Sequence, residues 1–236
     1  MTAKTDSQSS FGRISSGVEA NTLVEQTAGF VYTELPRWRD DPQRPPGTSE
    51  EHLNGTLCDF LNVASADSFP MVHFRHEQRQ TGRRRVDIAA KPSQTINVGQ
   101  RQYTKYDPIL VLEGKRLPTP GTAREQEYVT GLSARSGGIQ RFRLGLHGAD
   151  LNFALMVGYI ESKSCADWFT KMNDWITTLS SNDTDPTLDW SLEDCLSNIS
   201  IDATAKTSRC ISNHERTDGS RTIRLAHLWV EMSEKL

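Results

Sequence analysis

The sequence predicts an α/β protein with a mixed β-sheet, on three observations. Residues 71–78 (MVHFRHEQ) and 83–90 (RRRVDIAA) flank a turn containing Thr81-Gly82, the pattern of an antiparallel hairpin. Residues 109–112 (ILVL) are consecutively apolar, as in a strand buried on both faces. Two stripes of helical period complete the picture: Leu53, Leu57, Phe60 and Leu61, then Trp168, Met172, Trp175, Ile176 and Leu179.

In chain order, residues 1–17 form a polar, flexible tail and residues 18–236 a single domain. Residues 18–35 fit either a helix or a strand. Four prolines make 36–47 a loop. Thr48 or Ser49 then caps a helix whose first turn holds Glu50 and Glu51, where the helix dipole favours acids. The hairpin follows, and 91–107 is a loop. Asp107-Pro108 introduces a central strand over 109–117 that Pro118 and Pro120 end. Residues 122–131 suggest a short helix, and 151–160 an apolar one. Ser164 or Asp167 starts the helix of the second stripe. Residues 180–205 are polar and irregular, and strands around 210–215 and 221–230 close the chain about a turn at Asp218-Gly219.

The chain has 236 residues, 36% of them hydrophobic, and no apolar run nears the ~20 residues of a membrane span. Its N-terminus has no hydrophobic stretch of the secretory kind. Four cysteines without CxxC spacing argue against a zinc ribbon or a disulfide framework, and point to reduced thiols in a cytoplasmic protein. No HExxH spacing and no setting for a nucleophilic triad occurs. Net charge is −3, unevenly spread: residues 71–149 carry 14 basic against 6 acidic side chains, between acidic flanks. Such a basic island suits a face that meets phosphates, and equally an ordinary segregated surface.

The informative chemistry lies on strand 109–117. Its period of two puts Glu113 and Lys115 on one face at the end of an apolar run. A carboxylate and an ammonium there are costly to desolvate unless they pair or hold an ion. Asp87 is likewise embedded between Val86 and Ile88 in the second hairpin strand. If the two strands are neighbours, Asp87 and Glu113 converge with Lys115 alongside. Two carboxylates, with the Gly114 carbonyl, would suit Mg²⁺ or Mn²⁺, which take hard oxygen ligands and keep waters. Lys115 would orient or help deprotonate an attacking water and steady developing charge. A structural salt bridge is the plainer alternative.

Asp87 followed by Glu113-Gly114-Lys115 closing a hydrophobic strand resembles the PD-(D/E)xK nuclease superfamily, which includes restriction enzymes and many bacterial anti-phage nucleases. The resemblance implies a restriction-endonuclease-like core over about 48–160, with 161–236 an elaboration. It implies a Mg²⁺-dependent endonuclease acting on DNA, plausibly within a defence system, as a homodimer or with a protein partner. It also implies an extra acid from the upstream helix, for which Glu51 is the choice and Glu50 the alternative. Val86 stands where the family name has proline, and the gap from Asp87 to Glu113 is long. A nuclease-fold module that binds nucleic acid or a partner without cutting is the competing reading.

Around this centre, Arg83, Arg84, Arg85 and Lys91 are candidates to track a phosphate backbone. Gln140 and Arg141, on the segment after the ExK strand, are candidates for the site or the phosphate. Glu77 would support the site from the first hairpin strand or face solvent. Tyr103 and Tyr106 would stack on bases or join the core. His147 reads as structural, Trp168 and Trp175 as packing, and His214 and His227 have no evident partner.

Overall fold

A computed structural model describes residues 22–80, 84–98, 101–182, 184–217, 219 and 222–232. The tail 1–17, Thr81-Gly82, Arg83 and Asp218 lie outside them. A seven-stranded mixed sheet runs through the molecule in the order β1-β2-β5-β6-β9-β8-β7. Its strands are β1 (Val72–Arg79), β2 (Arg85–Pro92), β5 (Leu110–Leu117), β6 (Phe153–Ile160), β7 (Ser197–Asp202), β8 (Thr207–Glu215) and β9 (Thr222–Glu231). The first three are antiparallel in turn, β5, β6 and β9 are parallel, and β8 and β7 return antiparallel. A small ribbon, β3 (Ile96–Val98) with β4 (Arg101–Tyr103), occupies the stretch expected to be loop.

Helices α1 (Thr22–Asp40) and α2 (Glu50–Ser68) cover one face. Leu35, Trp38, Leu53, Leu57 and Leu61 pack there on Ile88, Leu112, Val157 and Leu228. α3 (Gly138–Arg143) and α4 (Cys165–Asn182) cover the other, where Phe142, Trp168, Met172 and Ile176 meet Val111, Met156 and Trp229. Trp168 thus packs as expected, and Trp175 lies half-buried against the same core. All four cysteines are free thiols. No helix among the described residues is long and apolar enough to cross a membrane.

Besides the ribbon in 91–107, three expectations fail here. Residues 180–205 are not irregular throughout, because Ser197–Asp202 pairs with β8 as the edge strand β7, where a ladder with the neighbouring strand and not an apolar pattern sets the conformation. Residues 151–160 are not helical: β6 lies between β5 and β9, parallel to both, and is buried on both faces. An apolar run with no polar positions has no period to read, so neighbours decide its conformation. The loop expected from Pro36 is also wrong as far as Asp40, because α1 continues through the proline. Leu35 and Trp38 are fully buried on either side of it, and this packing offsets the lost hydrogen bond.

Gly114 sets how closely α2 approaches the sheet. A Cβ there would lie 1.9 Å from Asn54 Oδ1, a buried atom held at 2.7 Å by Tyr159 Oη. Gly114→Ala is therefore expected to push α2 away and lower stability by about 1–3 kcal/mol, measured by urea unfolding. An unchanged midpoint would show that α2 yields freely.

Candidate functional site

Strands β2 and β5 pair from Ala90↔Leu110 to Ile88↔Leu112. One step beyond, the ladder ends, and Asp87 Oδ2 instead accepts the Gly114 amide at 2.8 Å. The β1–β2 ladder skips the same level, where Glu77 takes a left-handed φ of 49°. Opening on both sides of Asp87 makes a notch at which Asp87 lies close enough to Glu113 and Lys115 for their charges to interact. Glu113 and Lys115 share one face, in keeping with the period of two, and Asp87 reaches them from the neighbouring strand through its bond to the Gly114 amide.

Glu113 is fully buried and crowded by cations. Arg141 Nη1 donates to Oε1 at 2.6 Å, and Lys115 Nζ stands 3.2 Å from the same oxygen. His147 Nδ1 lies 3.0 Å from Oε2, off the line of a good hydrogen bond. Burial alone would raise the Glu113 carboxyl, but Lys115, His147 and Arg141 hold it well below the usual carboxylate range. Asp87 is half-buried by accessible surface yet closely walled, and it is the acid of the pair that rises. Burial and then the Glu113 charge push it up to about 8, against Lys115 and the Gly114 amide. Burial would lower Lys115; Glu113, Glu50 and Asp87 outweigh it and keep the side chain an ammonium.

The helix acid that meets this group is Glu50, not Glu51. Glu50 Oε1 accepts from Lys115 Nζ at 2.6 Å, whereas Glu51 points into solvent. The signal was present in the sequence: stepping the Leu53–Leu57–Leu61 stripe back one turn lands on Glu50, and Glu51 is a further 100° round the helix. His147, read as structural, belongs to the site; its loop at 144–148 carries no local pattern that would reveal this.

Other candidates lie elsewhere. Gln140 is fully buried and cannot meet a nucleic acid. Its amide accepts from Gly131 and Gly137 N–H groups and donates to Leu132 O and Thr187 Oγ1, tying the 131–137 loop to residues 185–187. Lys91 is buried four residues along β2, roughly 13 Å from Asp87 at strand rise, and so is no surface contact. Glu77 is exposed and pairs with Arg85, the solvent-facing alternative. Arg84 and Arg85 do reach the site's surroundings, lining a cleft with Arg135, Arg141 and His147. Tyr106 is exposed and Tyr103 half-buried, each beneath a cation from Lys105 and Arg101.

Among the described residues, no three His, Cys, Asp or Glu side chains gather as a metal site by themselves. Zinc, which takes three or four protein ligands, is poorly served by that arrangement. Mg²⁺ needs less from the protein: one or two carboxylates, with waters and substrate oxygens completing the octahedron. Two mutually repelling acids, with Glu113 Oε2 lacking a hydrogen bond, fit that demand. Protein-family models, curated proteins and solved structures give no match to this chain.

Proposed function

We propose that the protein is a Mg²⁺-dependent endonuclease with a restriction-endonuclease-like core, cutting DNA in bacterial defence. The observation that carries this reading is the gathering of Asp87, Glu113 and Lys115 where the β2–β5 ladder opens. The order α2, β1, β2, β5, α3, β6, with the β3–β4 ribbon inserted before β5, supports it, since the core of the family that the sequence resembles runs helix, three-strand meander, helix, strand. The arginine-lined cleft supplies a place for phosphate.

Asp87 and Glu113 would hold the ion, with the Gly114 carbonyl as a third candidate oxygen. When bound, Mg²⁺ supplies Lewis-acid stabilisation of the phosphoryl oxygens and a more acidic water. Lys115, held as an ammonium, stabilises charge growing on the phosphate; it is not the proton acceptor in this arrangement. Glu50 positions Lys115 by the bond at 2.6 Å.

The test is plasmid cleavage with Mg²⁺. Wild type is expected to cut, and Glu113→Gln and Lys115→Ala to lose about 100-fold or more. Equal cutting by all three would overturn the assignment. Lys115 and Arg141, which already neutralise Glu113, favour a second reading, a module that binds DNA without cutting. DNA retained without Mg²⁺ and never cleaved would establish it.

A further inference from the structure

Beside Glu113 the surface opens into a cleft of about 320 Å³ lined by Arg84, Arg85, Arg135, Arg141 and His147. Arg85 is engaged by Glu77. Arg84 and Arg135 are exposed and have no ion pair among the described residues. Arg135 sits at the end of a 3-10 turn in a left-handed conformation, φ 52°. Arg141 straddles the boundary, with a side chain 29% exposed to the cleft and one N–H spent on Glu113. A guanidinium has five N–H donors and prefers a bidentate partner with two anionic oxygens, which Glu113 does not offer it here.

We infer that this cleft binds one phosphate group, and that the phosphate draws Arg141 away from Glu113, coupling anion binding to cation binding at the neighbouring carboxylates. Arg84 and Arg135 supply the unpaired charge that brings the anion in. Arg141 completes the tetrahedral contact by turning its fork outward. Glu113 Oε1 then keeps Lys115 alone and becomes available to a divalent ion. Without phosphate, Arg141 occupies the carboxylate and keeps the site self-neutralised. Because coupling is reciprocal, the ion in turn strengthens phosphate binding. This extends the nuclease reading by giving the metal site an occupant-dependent lock, and it rests on that reading for the role of Glu113.

Calorimetric titration of the full chain with Mg²⁺, with and without excess inorganic phosphate, tests the coupling, and phosphorus NMR follows the anion directly. Phosphate is expected to tighten Mg²⁺ binding about five-fold or more. Arg141→Gln is expected to bind Mg²⁺ more tightly than wild type without phosphate, and to respond little when phosphate is added. The exposed double variant Arg84→Ala/Arg135→Ala is expected to lose about ten-fold in phosphate affinity and keep its phosphate-free Mg²⁺ affinity. Wild-type Mg²⁺ affinity indifferent to phosphate, no Mg²⁺ binding in either condition, or coupling undiminished in Arg141→Gln would overturn the hand-over. Phosphate affinity unchanged in the double variant would overturn the anion site. Neither readout requires cleavage. A chain that shows the coupling but never cuts keeps this inference and loses the nuclease reading, while one that cuts without coupling does the reverse.

Discussion

Asp87→Asn is expected to make the ion-free protein more stable at pH 8 while removing Mg²⁺-dependent cleavage. Asp87 is the acid that burial and the Glu113 charge push up to about 8, from an ordinary 3.8. Below pH 3.8 folded and unfolded chains both hold the proton, and Asp87 has no effect on stability. Between 3.8 and about 8 the unfolded chain has released a proton that the folded protein still keeps. Stability attributable to Asp87 therefore falls as pH rises through that window and is fully lost above it. Allowing for the partial exposure of the residue, the loss is on the order of 3 kcal/mol, or about 5–10 °C in melting temperature. Asn keeps the acceptor for the Gly114 amide and carries no charge. Mg²⁺ should stabilise wild type at pH 8 by mass action and the variant much less. Thermal melts at pH 5.5 and 8, with and without Mg²⁺, check all of this. A variant that melts below ion-free wild type at pH 8 would remove the physical basis of the site.

The second large effect concerns a buried chain of hydrogen bonds that runs across β8 and β9. Trp229 Nε1–H donates to Tyr128 Oη at 2.8 Å, and Tyr128 Oη lies 2.8 Å from His227 Nδ1. His227 Nε2 lies 2.8 Å from Ser212 Oγ, Ser212 Oγ 2.7 Å from His214 Nε2, and His214 Nδ1 2.7 Å from Asp194 Oδ1. Arg143 closes the chain on Asp194 Oδ2 at 3.0 Å. With both imidazoles neutral, every proton points one way, from Trp229 toward Asp194, and every group is satisfied. An added proton on His227 would leave Tyr128 without its acceptor.

Burial, then the charge of His214, pushes His227 down to about 3; burial also lowers His214 despite Asp194. A depressed histidine contributes stability that is whole above about 6.5 and is lost as pH falls toward 3, up to about 5 kcal/mol for His227. Ser212→Ala orphans one buried donor and one acceptor, and should cost about 3 kcal/mol at pH 7. Urea unfolding at pH 7 and 5 in the Asp87→Asn background, which removes the opposing slope of Asp87, measures both. Stability flat across that interval, with Ser212→Ala within about 0.5 kcal/mol of its parent, would show that the chain is not coupled to folding.

Legibility followed periodicity. The hairpin and the α2 and α4 stripes are legible from their periods, and β5, buried on both faces, from a short apolar run bounded by Asp107-Pro108 and Pro118; its period of two puts Glu113 and Lys115 on one face. Glu50 was readable too, had the α2 stripe been extended back. β6 is not, because its apolar run has neither a period nor a bounding proline, so it fits a helix as well as a strand. Gln140, a candidate for the site or the phosphate, is a buried tie, since a helix of six residues shows too little of a stripe to reveal its inner side.

The sequence by itself determined the α/β class, the acid-bearing strands and the shared face of Glu113 and Lys115; the pairing that brings Asp87 beside them came from the tertiary structure. Only the tertiary structure decided that Arg141 and His147 close on Glu113, that Arg84 and Arg135 share a cleft, and that His214 and His227 join one buried chain. Local spacing records which way a side chain points. Its partner comes from a segment tens of residues away, brought near by packing, and nothing in the spacing of either segment encodes that meeting.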